Sequence, residues 1–96
     1  MDSTSFLGMT VSRAMILAEM ASFRHAYPDP GGYDRWLEIR TYKYVVWHDG
    51  RPYPPKRILS GATGIPTSRF GGGQQTNRVF GGLGFEVTEK TEGGGW

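Results

Sequence analysis

Tyr42-Lys43-Tyr44-Val45-Val46-Trp47-His48-Asp49-Gly50-Arg51-Pro52-Tyr53-Pro54-Pro55 decides how this chain folds. From Tyr42 to Trp47 every residue but Lys43 is aromatic or β-branched, which suits a pleated strand. Asp49-Gly50 then signals a two-residue hairpin, because a type I′ turn needs positive φ at both central positions. The return strand must be short, since Pro52, Pro54 and Pro55 donate nothing to a ladder. Pro55 fits the first turn of a helix, where its missing N–H has no intrahelical partner to lose. The helix continues through Lys56-Arg57-Ile58-Leu59-Ser60-Gly61-Ala62, and Gly64 is its natural C-cap. A hairpin feeding directly into a helix predicts a mixed α+β domain.

Toward the C-terminus, residues 65–70 read as a loop and Gly71-Gly72-Gly73 as a flexible lead into a last helix from Gln74. Val79, Phe80 and Leu83 form its core side. Gly81 and Gly82 weaken it by about 1 kcal/mol each relative to Ala, and Gly84 ends it. Phe85-Glu86-Val87 alternates as a short strand beside the hairpin. The polar, Gly-rich end, residues 89–96, reads as a linker or tail of a longer protein.

Toward the N-terminus, a long helix is expected from Thr10 or Ser12 to about His25. Val11, Ala14, Met15, Leu17, Ala18 and Ala21 share one wide face. Ile16, Met20 and Phe23 form a second apolar row at i, i+4, i+7. A helix apolar on two sides is either central in the fold or touches a partner, so this second row is a candidate interface. Residues 27–32 read as a loop, 33–39 as a short helix and 1–9 as a flexible lead-in. The expected architecture is a single α+β domain over residues 10–88. It holds a long N-terminal helix, a central β-hairpin, two further short helices and a C-terminal strand completing a small antiparallel sheet.

Composition narrows the function. The 96 residues are 38% hydrophobic and 14% aromatic, a globular balance, and there is no Cys. Disulfide scaffolds, Cys-based zinc sites and thiol catalysis are excluded. No apolar run reaches the roughly 18 residues of a membrane span, and a cytoplasmic protein is expected. The net charge of +2 is unevenly spread. Residues 41–80 carry six cations against Asp49 alone, while both flanks are mildly acidic. A basic centre attracts a polyanion or is simply a solvated face.

No catalytic or metal constellation stands out. His25 and His48 are distant in sequence, no His-Glu-x-x-His or Gly-x-Ser-x-Gly occurs, and the Gly run lacks the Gly-Lys-Ser/Thr of a phosphate-binding loop. No cofactor, metal or catalytic residue is expected. Binding is better supported. Gly72 and Gly73 offer backbone N–H groups ahead of a helix N-terminus, a plausible anion site. Arg69 precedes it and Arg78 lies one turn in. Gln74, Gln75, Thr76 and Asn77 supply neutral donors and acceptors. Lys56 and Arg57 open the preceding helix, where cations oppose the helix dipole unless an anion sits close by. Tyr42, Tyr44, Trp47 and Tyr53 could stack bases, but a domain this small needs such residues for its core.

The run from Tyr42 to Ile58, with Ser68-Arg69-Phe70-Gly71-Gly72 and Leu83-Gly84-Phe85-Glu86-Val87, resembles the N-terminal head domain of McrA-type modification-dependent HNH restriction endonucleases. The resemblance is close over about half the chain and looser over residues 10–40. It implies a DNA-binding or DNA-positioning accessory module of a multidomain bacterial enzyme, whose nuclease and modification-reading centres lie in other domains. Gly73-Gln74-Gln75 departs from the acidic residue that often follows the Gly-Gly step, removing negative charge from the proposed anion site. Gly81-Gly82 replaces sequence that is usually polar and helix-favouring. The expected partners are therefore duplex DNA, bound weakly and without sequence preference, and other domains of the same enzyme. The alternative function is protein–protein assembly or self-association through Ile16, Met20 and Phe23.

Overall fold

A β-hairpin precedes the first helix. The computed structural model describes residues 2–28, 43–71 and 73–89. Its first strands are β1 (Ser3–Phe6) and β2 (Met9–Ser12), antiparallel with Ser3 opposite Ser12 and Phe6 opposite Met9. The flexible lead-in expected over residues 1–9 is thus corrected for its described part. Leu7-Gly8 is not a recognisable hairpin turn in sequence, yet both residues hold positive φ, 49° and 78°. The left-handed conformation costs Leu7 about 1 kcal/mol or more. Burial of Phe6 and Val11 offsets that cost.

Helix α1 (Arg13–Ala26) begins where Ser12 Oγ accepts the Met15 backbone N–H at 3.1 Å. Its buried residues are Ile16, Met20 and Phe23, while Ala14, Ala18 and Ala21 are exposed. The candidate interface row is therefore core. Of the wider face expected on this helix, Val11 belongs to β2 and is buried, Leu17 packs against the core, and only the alanines are outside, because burial free energy scales with apolar area and an Ala methyl has little to bury.

The hairpin forms as the sequence dictates. Strands β3 (Tyr44–His48) and β4 (Arg51–Tyr53) pair with His48 opposite Arg51. Asp49 (φ 51°) and Gly50 (φ 73°) make the turn. Helix α2 (Pro55–Thr63) follows and ends on Gly64 in the left-handed conformation. A 3₁₀ turn (Thr67–Arg69) leads to α3 (Gln74–Gly82). The last strand, β5 (Glu86–Glu89), pairs with β3, giving the order β4-β3-β5. It starts one residue later than Phe85, whose backbone N–H donates to the Phe80 carbonyl at 3.0 Å at the end of α3, and it takes in Glu89, the first residue of the expected tail. The expected helix over 33–39, and Tyr42, lie outside the described residues.

The core gathers Ile16, Met20, Val46, Tyr53, Leu59 and Phe80 between α1, the three-stranded sheet and helices α2 and α3. Tyr53 is buried, settling one of the aromatic residues as packing rather than stacking surface. Trp47 is half-buried, and its indole N–H donates to Thr88 Oγ1 at 2.8 Å across β3 and β5. Arg13 closes the end of α3: Nη1 donates to the Leu83 carbonyl at 2.7 Å, and the guanidinium lies 4.2 Å from the Phe85 ring centroid. After the central hairpin, α2, the 3₁₀ turn and α3 follow one another as a consecutive stretch of chain.

Candidate nucleic-acid interface

That stretch is free of negative side chains. Residues 50–85 hold Arg51, Lys56, Arg57, Arg69 and Arg78 and no Asp or Glu. Where each cation goes depends on what it packs against. Arg69, at the end of the 3₁₀ turn, and Arg78, in the second turn of α3, are exposed. Neither forms an ion pair among the described residues.

Lys56 is half-buried, with its ammonium 5.7 Å from the ring centroid of Phe70. Phe70 in turn meets Phe6 edge-on, with centroids 5.1 Å apart at 89°. The ring is Arg69's immediate neighbour in the chain, so it brings Lys56 to the Arg69 side of the molecule. Arg57, one residue on, diverges: its Nη1 lies 3.3 Å from Glu19 Oε2 on α1. A helix turns about 100° per residue, so adjacent first-turn cations face different neighbours. Arg51 is likewise engaged elsewhere, with Nη2 donating to the carbonyls of Tyr27 and Pro28 at 2.8 Å.

The Gly run is less open than its sequence implies. Gly71 N–H donates to Gln75 Oε1 at 3.1 Å, and Thr76 Oγ1 donates to the Gly71 carbonyl at 2.8 Å. Two side chains of α3 thus close the loop on its own helix, and Thr76 is buried. Gln75 and Thr76 act as structural ties here rather than as free donors. Gly73 takes φ 69° and ψ −133° at the N-cap, a conformation glycine alone adopts readily. Its carbonyl accepts the Asn77 backbone N–H at 2.8 Å. Asn77 Oδ1 is buried without a hydrogen-bond partner among the described residues. Gln74 is exposed, and the first turn of α3 holds no acidic residue and no side-chain cap. Gly72 lies outside the described residues. The structure therefore brings Lys56, Arg69, Gln75 and Thr76 around the Phe70–Gly71 step, exposes Arg78 further along α3, and turns Arg57 away.

Sequence reasoning passed over Phe70, whose ring links Lys56 to the β1–β2 hairpin. The Phe-Gly-Gly step was its one visible signal. Among the described residues, no group of three or more His, Asp or Glu side chains gathers to hold a metal ion. His48 Nε2 and Asp49 Oδ2, 3.4 Å apart at the hairpin turn, stand as a pair. No helix among the described residues is long and apolar enough to cross a membrane. No family model, curated protein or solved structure matches the chain.

Proposed function

We propose that this chain is a non-catalytic module that holds duplex DNA by its phosphate backbone, through Lys56, Arg69 and Arg78. The observation that carries the reading is the acid-free stretch from residue 50 to residue 85, on which Arg69 and Arg78 stand exposed and unpaired among the described residues. An uncapped helix N-terminus adds a region of positive potential on the same stretch. The resemblance to McrA-type head domains supplies the setting: an accessory domain beside the reader and nuclease domains of a cytoplasmic restriction enzyme. Cleavage and modification reading belong to those other domains.

Three phosphate contacts, at roughly 0.9 each, give a slope of log affinity against log salt near −2.7. Such a slope suits weak, sequence-tolerant anchoring in the micromolar range or above; specific complexes make more contacts. The alternative of docking through Ile16, Met20 and Phe23 has no surface to act through, because all three are buried. Titrating the chain with a fluorescent duplex across a salt series tests the proposal. Replacing Arg69 and Arg78 together by Ala should flatten the slope by about 1.8 and weaken all sequences alike. Wild-type affinity in that double variant at every salt concentration, or no wild-type affinity at low salt, would overturn it.

A further inference from the structure

We propose that the turn of the β1–β2 hairpin is a wedge, with Leu7 as the apolar side chain that enters the duplex at a base step; this rests on the DNA-binding reading above. Leu7, 52% exposed, is the large hydrophobic residue left outside among the described residues. It also holds an unfavourable backbone. Among the described residues two hairpins have nearly the same turn: φ 49° and 78° at Leu7-Gly8, φ 51° and 73° at Asp49-Gly50. At the second, the sequence uses the Asp-Gly pair that such a turn prefers. At the first it places Leu, which gains neither burial nor backbone ease there. Stability alone would select Asn or Asp at residue 7.

Position links this side chain to the cations. Phe6, the residue before Leu7, is buried and meets Phe70 edge-on. Phe70 adjoins Arg69 and carries the Lys56 ammonium 5.7 Å from its centroid. The hairpin is thereby anchored at the border of the cationic surface, with its apolar tip outward. Apolar side chains flanked by cations are how minor-groove proteins part a base step while gripping the adjoining phosphates. Charge complementarity calls for an anionic occupant, and the phosphate-binding reading above commits it to duplex DNA.

The test uses the full chain, a short duplex carrying 2-aminopurine at a central T-A step, and the variants Leu7→Asn and Leu7→Met. Wild type and Leu7→Met should raise the 2-aminopurine fluorescence on binding, as the base unstacks. Leu7→Asn should abolish that rise and bind roughly tenfold more weakly, as expected for losing part of one buried leucine. Its salt slope should stay at the wild-type value, because no phosphate contact is lost. Its melting temperature should rise by about 4–8 °C, as the turn gains its preferred residue. Leu7→Asn with wild-type affinity and fluorescence would overturn the wedge. If the Arg69/Arg78 double variant still flattened the salt slope, the DNA reading would stand without the wedge. Should Leu7→Asn instead lose binding only to anionic vesicles or to a second copy of the chain, the tip serves that surface and the wedge is wrong. A wild type with no duplex affinity at low salt removes both proposals together.

Discussion

The guanidinium of Arg57 reaches across to Glu19, with Nη1 3.3 Å from Oε2, and the pair lies directly over Gly61. A side chain at Gly61 would stand where the carboxylate and guanidinium meet, so the small residue lets α1 and α2 approach and the two charges join. The pair joins the long N-terminal helix to the helix that follows the central hairpin. It also engages one of the cations that the proposed phosphate contacts would otherwise draw on.

Arg57→Ala should leave the salt dependence of duplex binding unchanged, in contrast to Arg69→Ala or Arg78→Ala. It should cost up to about 1 kcal/mol of stability, the range for a partly exposed ion pair. A salt-series titration beside a thermal melt checks both halves. A flatter slope in Arg57→Ala would add this residue to the proposed phosphate contacts.

Met20→Ala should lower stability by about 2–5 kcal/mol, because Met20 is 1% exposed and a cavity would remain in the core. Ala18→Glu, on the exposed face of the same helix, should change it by no more than about 0.5 kcal/mol. Chemical denaturation of the two variants measures the difference. Equal effects would contradict the burial of Met20.

Gly50→Ala and Gly81→Ala should move stability in opposite directions. No atom lies within 4 Å of a Cβ at either position, so the difference is conformational. Gly50 has φ 73°, and Ala there should cost about 1–2 kcal/mol. Gly81 is helical, and Ala there should stabilise by about 0.5–1 kcal/mol. Paired melting curves suffice, and a Gly50→Ala protein as stable as wild type would contradict the turn.

Thr76→Val keeps the volume of a buried side chain and removes its hydrogen bond to the Gly71 carbonyl. A loss of about 1 kcal/mol is expected, the usual net worth of such a bond. Amide hydrogen exchange at Gly71 should quicken as the loop comes away from α3. Unchanged exchange would show that the Gln75 contact alone holds the loop.

The sequence by itself determined the elements whose cause is local. Asp49-Gly50 forces a type I′ turn, Pro55 and Gly64 bound α2, and Ser12 caps α1, each through the φ preferences or donors of one or two residues. Val79, Phe80 and Leu83 were legible as the buried side of α3 from spacing alone. Tertiary structure decided that Ile16, Met20 and Phe23 line the core from α1 with Leu17 beside them while the alanines stay outside, because that depends on the area each side chain removes from water against its neighbours. It also decided the N-terminal hairpin, whose Leu-Gly turn carries no local signal and is sustained by burying Phe6 and Val11. The candidate site divides in the same way. The acid-free stretch from residue 50 to residue 85 is a property of sequence. Arg57 pairs with Glu19, Gln75 and Thr76 tie the Gly run, and Arg69 and Arg78 stay exposed because of contacts between segments distant in the chain or set by the loop's path, which periodicity and composition do not encode.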